Sequence, residues 1–357
     1  MVVVVGVVVV VGGDSVNVFC DLHHSDLYWS LHALFERRLG WRLFRPIGRE
    51  WFDAGFWKIA EPYGNPPDTI HQYLGTTAKP WGVGCLNSNP IARDGYFEVA
   101  DPSHDNFTHR AMTFDQFRDA RFDLIVSCYG PSHDVAYDRL RDLYQPQAER
   151  LAQMGNVFQK THCKHVIHSA PYVPEPWQHA LYYHQEIDRA LFYPTAPDPT
   201  TRKITSCVNL LPHREIFDAY KAALPDVEFR AYGASCPDGF LLGAKSVAEK
   251  MREANLGWHI KPHDGFGHTA MGWMASGRAV VTRMDEIREY GHDAPRLFVP
   301  GETCIPVDGV RAALGRSVRR GLGSSMALGE NAARRFDEVC NYAAEEVEIR
   351  QFLEGVI

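Results

Sequence analysis

One segment in the last third of the chain constrains the fold more than any other, because it joins two glycines, a helix and an apolar strand. From residue 261 to residue 283 it reads KPHDGFGHTAMGWMASGRAVVTR. Gly265 and Gly267 allow a tight turn and a close approach of the backbone to a ligand. The helix that follows directs unpaired N–H groups and its positive dipole end toward that turn. We therefore predict an anion site here, although an ordinary strand-to-helix turn gives a similar pattern.

The residues after the turn predict a helix and then a buried strand. Apolar side chains recur at three- and four-residue spacing, as on the buried face of a helix, at Ala270, Met271, Met274 and Ala275. Gly277 can adopt the left-handed conformation that ends a helix. Residues 279–282, AVVT, are typical of a parallel strand. A turn, a helix and a strand in this order indicate an α/β domain.

This segment resembles the donor-binding motif of GT-B glycosyltransferases of the glycosyltransferase group 1 family. That motif contains a glutamate, Gly-Phe-Gly, a helix with a second glutamate, and then Gly-Arg/Lys-Pro-Val-Ile. Asp264 stands at the first acid, Gly272 at the second, and residues 277–281, GRAVV, at the end. In the family the second acid holds the nucleotide ribose. The resemblance implies a GT-B fold, in which two Rossmann-like domains enclose an interdomain cleft, and a retaining sugar transfer.

The resemblance also implies which residues bind the donor, a nucleotide-diphosphate sugar that serves as co-substrate without a further cofactor. The turn would hold the two phosphates through Gly265, Phe266, Gly267, His268 and Thr269. Asn209 and Arg214 follow the first strand of the second domain, where the family places phosphate-binding cations, and Lys261 would add a positive charge beside the leaving diphosphate. Asp264 would approach the sugar hydroxyls. For each cation the alternative is an ordinary surface residue.

Candidate residues for the acceptor side lie in two loops of the first half. Residues 21–26, DLHHSD, follow the first predicted strand, and residues 132–134, SHD, follow a later one. Both loops belong at the carboxyl edge of a parallel sheet, where open α/β sheets bind ligands. Histidine and aspartate move protons near neutral pH, so His24, Asp26 and His133 are the predicted catalytic residues. Helix capping by Asp26 and Ser132 is the alternative.

The length of 357 residues fits two α/β domains. We predict an N-terminal acceptor domain at 14–185, a C-terminal donor domain at 186–335, and a helix at 336–357 that packs back on the first domain, as in the family. The crossing between domains is predicted near residues 182–188, between two proline-rich segments. Other predicted strands are 16–22, 41–45, 122–128, 164–168, 203–208 and 227–232, and other predicted helices are 27–38, 135–154, 214–224 and 330–353. Long loops and short strands are expected across residues 48–106.

Composition and charge restrict the partners. A net charge of −7 gives no general attraction to nucleic acid or to an anionic membrane. The valine-rich residues 1–13 are too short to span a bilayer, which needs about 20 apolar residues, and we expect a cytoplasmic protein without a membrane span. The eight cysteines form no C-x-x-C pair, and the sequence contains no Asp-x-Asp pattern. The histidines at 162, 165 and 168 have no second matching group of ligands, so no metal site is predicted.

Several functions therefore remain open at the level of sequence. The first is transfer of a sugar to a saccharide or small-molecule hydroxyl. A phage-type relative would instead glucosylate hydroxymethylated pyrimidine in modified DNA, and the arginines and aromatic residues between 37 and 52 have the composition of a nucleic-acid groove. A helix end followed by a half-buried strand produces that mixture routinely and explains it better. A sugar-nucleotide epimerase and a non-catalytic nucleotide-sugar binding protein are the remaining alternatives, the latter because of Gly272.

Overall fold

A computed structural model describes most of the chain. The described residues are 15–20, 25–48, 50–56, 59, 91–100, 108–128, 130–154, 160–169, 177–208, 211–241, 243–260, 267–285, 294–307 and 315–357. Within these ranges the strands form two separate sheets, one of nine strands from the first half of the chain and one of five strands from the second half.

The nine-stranded sheet has the order β3-β4-β5-β2-β1-β6-β7-β8-β9. Its strands are β1 Asn17–Cys20, β2 Arg42–Pro46, β3 Ile91–Arg93, β4 Tyr96–Ala100, β5 Thr108–Met112, β6 Leu124–Ser127, β7 Glu149–Met154, β8 His165–His168 and β9 His179–Tyr182. All neighbours are parallel except the β3–β4 and β4–β5 pairs, which are antiparallel. The described part of the predicted loop region 48–106 thus contains a short helix and the antiparallel edge of this sheet.

The five-stranded sheet is parallel throughout and has the order β11-β10-β12-β13-β14. Its strands are β10 Lys203–Ser206, β11 Glu228–Ala231, β12 Leu256–Trp258, β13 Val280–Thr282 and β14 Cys304–Pro306. The order, with β10 and β12 at the centre, requires a helical crossover between successive parallel strands. Both halves therefore have the open α/β architecture that the sequence predicts.

Helices cover the sheets and connect their strands. They are α1 Ser25–His32, which continues as a π-helical segment Ala33–Arg38, α2 Glu50–Asp53, α3 Phe114–Asp119, α4 Gly130–Tyr144, α5 Arg214–Ala223, α6 Gly243–Glu253, α7 Gly267–Ala275, α8 Ala294–Leu297, α9 Gly315–Gly323, α10 Ser325–Val339 and α11 Tyr342–Glu354. None of the described helices is long and apolar enough to cross a membrane.

Aromatic side chains fill one side of the first sheet. Phe19 of β1 stacks on Trp51 at a ring-centroid distance of 5.1 Å and touches Phe117 at 4.6 Å. All three are buried, and aromatic contacts of this kind add about 0.5–1.5 kcal/mol beyond the burial of their area. This cluster fixes α2 and α3 against the sheet.

Glycines set close backbone contacts in the second half. Gly277 has φ of +69° and follows α7, which confirms the predicted left-handed helix end. A Cβ atom on Gly329 of α10 would lie 2.3 Å from the carbonyl oxygen of Gly277, and one on Gly257 of β12 would lie 2.5 Å from Cδ2 of Trp273. Contacts this short exclude any side chain at Gly257 and Gly329 without movement. Gly257 thus brings α7 close to the sheet, and Gly329 brings α10 close to the end of α7.

Two predicted helices have different boundaries in the structure. The helix predicted over 135–154 is wrong beyond Tyr144, because residues Glu149–Met154 form β7 between β6 and β8. Gln145 donates two hydrogen bonds of 2.9 Å to the carbonyls of Phe117 and Ala120, and Pro146 has no N–H group to continue the helix. Pro146 was thus a local signal for the end of the helix, which the helical prediction over 135–154 did not take into account.

The helix predicted over 330–353 is wrong as a single element, because it divides into α10 and α11 at Cys340 and Asn341. The Asn341 side chain caps α11 by accepting from the N–H group of Ala344 at 3.1 Å. Ile349 and Leu353 of α11 lie in the same buried cluster as Val18 of β1. The domain boundaries themselves stay a prediction.

Candidate functional site

Much of the predicted site lies outside the described residues. This applies to His24, Asn209, Lys261, Asp264, Gly265 and Phe266. Asp26 belongs to α1 and His133 to α4, and the description does not extend to their side chains. Four predicted donor-binding residues lie within the described ranges: Arg214, Gly267, His268 and Thr269. The catalytic and donor-binding assignments therefore stay predictions.

The first turn of α7 lies where the two halves meet. Gly267 begins the helix, and His268 and Thr269 line a pocket of about 30 Å³. Trp29 of α1 lines the same pocket from the first half, and Asp188 lines it from the segment that connects the two sheets. The first turn of α7 thus lies at a junction between the two sheets.

Apolar side chains occupy the space beside Gly272, the position of the second acid in the family motif. A Cβ atom there would lie 3.1 Å from Cε1 of Phe192 and 3.2 Å from Sδ of Met251. Both neighbours are buried, so a glutamate at this position would have to displace them. This face of α7 offers packing rather than a carboxylate.

Arg278, in the last part of the motif, is a buried structural residue. Its guanidinium donates to backbone carbonyls of Arg252, Ala254, Thr195, Ser276 and Gly277. Burial, with a smaller contribution from the nearby charge of Arg252, lowers the pKa of Arg278 to about 10. The group therefore stays protonated at neutral pH, and its donors hold the ends of α6 and α7 together.

Arg214 is an accessible cation in the second half. It begins α5, which follows β10 along the chain. Its side chain is 60% exposed, and its Nε lies 3.4 Å from a carboxylate oxygen of Asp218 one turn later on the same helix. Exposed pairs of this kind contribute little to stability. Arg214 can therefore exchange Asp218 for an anionic ligand at low cost.

A buried ionic network supports the start of α4 in the first half. Asp134 is fully buried and accepts hydrogen bonds from Ser127 Oγ at 2.8 Å and Thr161 Oγ1 at 2.6 Å. Arg150 Nη2 lies 3.6 Å from the same carboxylate, and Arg150 Nε donates to Asp138 at 3.0 Å. Sequence analysis placed Asp134 in an acceptor loop, whereas the structure uses its carboxylate to fix α4 to β6 and β7.

The same network lowers the pKa of Asp138. Burial alone would raise it, but hydrogen bonds from His162 and Arg150 hold the pKa of Asp138 below its ordinary value of 3.8. Asp138 is therefore ionised at neutral pH. Sequence analysis missed this group of residues, because Arg150 lies on the strand that was predicted as helix.

Hydrogen bonds within the protein engage the residues that connect the sheets. His184 Nδ1 lies 2.6 Å from Glu345 Oε1, and Arg38 Nε donates to Glu186 at 2.8 Å. These contacts hold the connecting segment to α11 and to the end of the first helical segment. Among the described side chains no group of three or more His, Cys, Asp or Glu residues is arranged to hold a metal ion.

Comparisons with known proteins identify the fold. No family model matches the sequence, and none of the curated protein sequences searched matches it. A sucrose-phosphate synthase from Thermosynechococcus elongatus superimposes with a TM-score of 0.58 at 14% identity, over 96% of this chain and 98% of that protein. HepE from Anabaena, solved in complex with UDP, gives 0.58 at 12% identity over 95% and 100%.

A third similar structure is a glycosyltransferase from Rickettsia africae, with a TM-score of 0.56 at 9% identity over 96% of this chain and 99% of that one. Each match extends over both sheets, since it covers nearly the whole of both chains. Identities this low show the fold alone. The chain therefore has the GT-B fold, in agreement with the α/β architecture predicted from its sequence.

Proposed function

We propose that this chain is a cytoplasmic glycosyltransferase that moves a sugar from a nucleotide-diphosphate sugar to a hydroxyl acceptor without a metal ion. The observation that supports this most directly is the position of the first turn of α7, which faces the junction of the two sheets beside Trp29 and Asp188. A helix N-terminus in such a junction favours the phosphates of a donor. The likeness to HepE, solved with UDP, supports the same donor class.

In this proposal the second half supplies the charge that stabilises the leaving diphosphate. Lys261, Arg214 and the amides of residues 265–269 contact the phosphates, Asn209 adds a hydrogen bond, and Asp264 contacts the sugar hydroxyls. Positive groups at this point lower the barrier because negative charge develops on the leaving oxygen as the bond to the sugar breaks. No cofactor beyond the donor is required.

The first half supplies the acceptor side. The backbones of α1 and α4 begin after β1 and β6, two adjacent strands at the centre of the first sheet. The first turns of these helices, which contain Asp26 and His133, therefore lie at the same sheet edge, and the proposal assigns His24 the same role as these two residues. Their proposed role is to accept the proton of the attacking hydroxyl of a saccharide or small molecule, with retention of configuration at the sugar carbon as the expected outcome.

The nucleoside must be recognised without a carboxylate at position 272. Phe192 and Met251 fill the space where that side chain would stand. A ribose hydroxyl that lost such a partner would need another polar group, or the nucleotide would be bound mainly through its phosphates. We therefore expect weaker discrimination among nucleoside diphosphates than among the sugars attached to them.

A screen of nucleotide sugars tests the proposal. Thermal unfolding is measured with a panel of nucleotide-diphosphate sugars, and those that raise the melting temperature are incubated with saccharide acceptors and with hydroxymethylated DNA. The expected result is release of the nucleoside diphosphate together with a glycosylated saccharide or small molecule. Three other results would contradict the proposal. An epimerised donor would indicate an epimerase, glycosylation of the DNA alone would indicate a DNA glycosyltransferase, and binding without turnover would indicate a non-catalytic binding protein.

The substitution Lys261→Ala tests the donor turn. Loss of a cation that stabilises the leaving group should lower kcat/KM by about 100-fold, the size of effect seen when one transition-state donor is removed. Steady-state kinetics measure the change, and equal melting temperatures verify the fold. Lys250→Ala is the matched control, since Lys250 lies on α6 and pairs with Glu253 at 2.8 Å. Equal activity of the two variants would remove Lys261 from the site.

A further inference from the structure

The chain crosses between the two sheets at two places. The first crossing follows β9 and leads to β10, and the second lies at Cys340 and Asn341 between α10 and α11. Phe336 of α10 packs in a cluster with Ala270 of α7, on the second sheet. Ile349 of α11 packs with Val18 of β1, on the first sheet. Any change in the angle between the sheets must therefore bend both crossings.

Hydrogen bonds join these two crossings directly. The Tyr342 hydroxyl accepts from the N–H group of Ile187 at 3.1 Å and donates to the carbonyl of Gln185 at 3.2 Å. The Glu345 carboxylate accepts from the N–H group of His184 at 3.0 Å. Four consecutive residues of the first crossing, 184–187, thus include three that are bonded to the first turn of α11.

Arg38, at the end of the π-helical segment Ala33–Arg38, connects that segment to both crossings. Its Nε donates to Glu186 at 2.8 Å, and its Nη1 donates to the carbonyl of Tyr342. The guanidinium also lies 5.0 Å from the centre of the Tyr342 ring. In return, Arg350 of α11 donates to the carbonyl of Arg38 at 2.7 Å. These bonds connect residues up to 312 positions apart.

The surroundings leave space for a hinge. An open groove of about 470 Å³ runs beside Arg38, Glu186 and Tyr342, so the crossings have space to bend when these contacts are lost. Burial raises the pKa of Tyr342 well above its ordinary value. Its hydroxyl therefore keeps its proton, which the bond to Gln185 requires.

We propose that Tyr342 and Arg38 pin the two crossings together and are positioning residues that set the relative orientation of the two sheets. Hinges in two-domain proteins are a few residues that absorb the change in backbone angles. In a transfer between ligands held on different sheets, a misplacement of about 1 Å costs on the order of 100-fold in rate. This role in catalysis rests on the proposed function, whereas the pin itself does not.

Tyr342→Phe is the variant that tests the pin, because it removes only the hydroxyl and keeps the ring beneath Arg38. Tyr137→Phe is the control, since Tyr137 also lies beneath a guanidinium, that of Arg150 at 5.0 Å, but belongs to α4. Hydrogen exchange of residues 184–188 and small-angle scattering of both variants are compared with the unmodified protein. No substrate is needed for either measurement.

The expected result is at least tenfold faster exchange at Ile187 and a broader distribution of interatomic distances in Tyr342→Phe alone. Arg38→Lys should act in the same direction, because a lysine ammonium cannot hold Glu186 and the Tyr342 carbonyl in the geometry of a guanidinium. Unchanged exchange at residues 184–188 in both hinge variants would overturn the pin.

Kinetics then test the positioning role. With a donor and acceptor that support transfer, Tyr342→Phe should lower kcat about tenfold while the Kd for the nucleoside diphosphate stays within about twofold, because the donor contacts lie on one side of the hinge. An equal loss in Tyr137→Phe, or unchanged kcat in Tyr342→Phe, would overturn it. Absence of any transfer by the unmodified protein would instead overturn the proposed function and leave the exchange result to decide the pin.

Discussion

Arg150 in the first half and Arg278 in the second are both buried beside a sheet, yet their charges are compensated in different ways. Arg150 faces the carboxylates of Asp134 and Asp138 on α4. Arg278 donates to backbone carbonyls, and to the Thr195 hydroxyl at 3.0 Å. The first arrangement sets one positive charge against two carboxylates, whereas the second ties together the ends of several segments.

This difference teaches how each half responds to mutation. A charge pair can be removed together, since replacing both members leaves no isolated charge. Carbonyl groups cannot be removed, so loss of Arg278 leaves acceptors at the ends of α6 and α7 without these donors. We therefore expect that a second substitution can recover part of the stability lost at Arg150, and that no second substitution can do so at Arg278.

Arg278→Met should give the largest loss of stability. Five carbonyls, those of Arg252, Ala254, Thr195, Ser276 and Gly277, lose a charged donor. At about 1 kcal/mol or more for each buried acceptor, the free energy of unfolding should fall by about 5 kcal/mol. Urea unfolding followed by tryptophan fluorescence measures it, because Trp258 and Trp273 are buried in the same half.

The control for this variant is Arg334→Met on α10, where the side chain is 61% exposed. Surface substitutions usually change the free energy of unfolding by no more than about 0.5 kcal/mol. If the two variants unfolded at the same urea concentration, the carbonyl contacts of Arg278 would have no role in stability and the comparison of the halves would fail.

Arg150→Met should have the next largest effect, about 3 kcal/mol, because it leaves the buried Asp134 carboxylate without its cation. Adding Asp134→Asn should recover about 1 kcal/mol or more, because the amide removes the uncompensated charge, its oxygen can accept from one of the two hydroxyls, and its NH2 group can donate to the other. Both variants are measured by the same urea unfolding.

Arg141→Met is the control, on the same helix as Asp134 and paired with exposed Asp142 at 2.7 Å. A double variant less stable than Arg150→Met would contradict the assignment of the first half to charge pairing. The Arg150 network would then resemble that of Arg278, where no second substitution makes up for the lost donors.

The two halves also differ in how far their structure follows from the sequence. In the second half the glycines and the apolar spacing predicted α7, its left-handed end at Gly277 and β13, because each of these depends on local backbone chemistry. In the first half, β7 was predicted as helix. Its identity as a strand depends on pairing with β6 and β8, which no local pattern encodes.

The candidate site shows the same limit. The sequence predicted α7 and showed that Gly272 stands where the family motif has an acid, both of which are local properties. It did not show that Trp29 lies beside the first turn of α7 or that Phe192 and Met251 fill the space at Gly272. The contact of Arg38 with Tyr342 joins residues 304 positions apart. Such contacts follow from the packing of complete elements.

The smallest predicted effect extends the comparison to pH, through a further ion pair of the first half. Glu36 accepts from the N–H group of Leu43 at 3.0 Å, lies 3.2 Å from His32 Nδ1 and contacts Arg110. Burial would raise its pKa, but hydrogen bonds from His32 and Arg110 hold the pKa of Glu36 below its ordinary value of 4.5. The unfolded chain therefore takes up this proton first as the pH falls.

The stability that Glu36 contributes is thus complete above its unfolded pKa and is lost as the pH falls through its folded pKa. Glu36→Gln should cost about 1.5 kcal/mol at neutral pH, the value of a hydrogen bond to a charged group, and progressively less toward about pH 3. Urea unfolding at several pH values measures this change. Glu98→Gln is the control, because its pair with Arg93 at 2.5 Å lies on the surface. A cost for Glu36→Gln that stays constant with pH would show that its packing, rather than its charge, stabilises the first half.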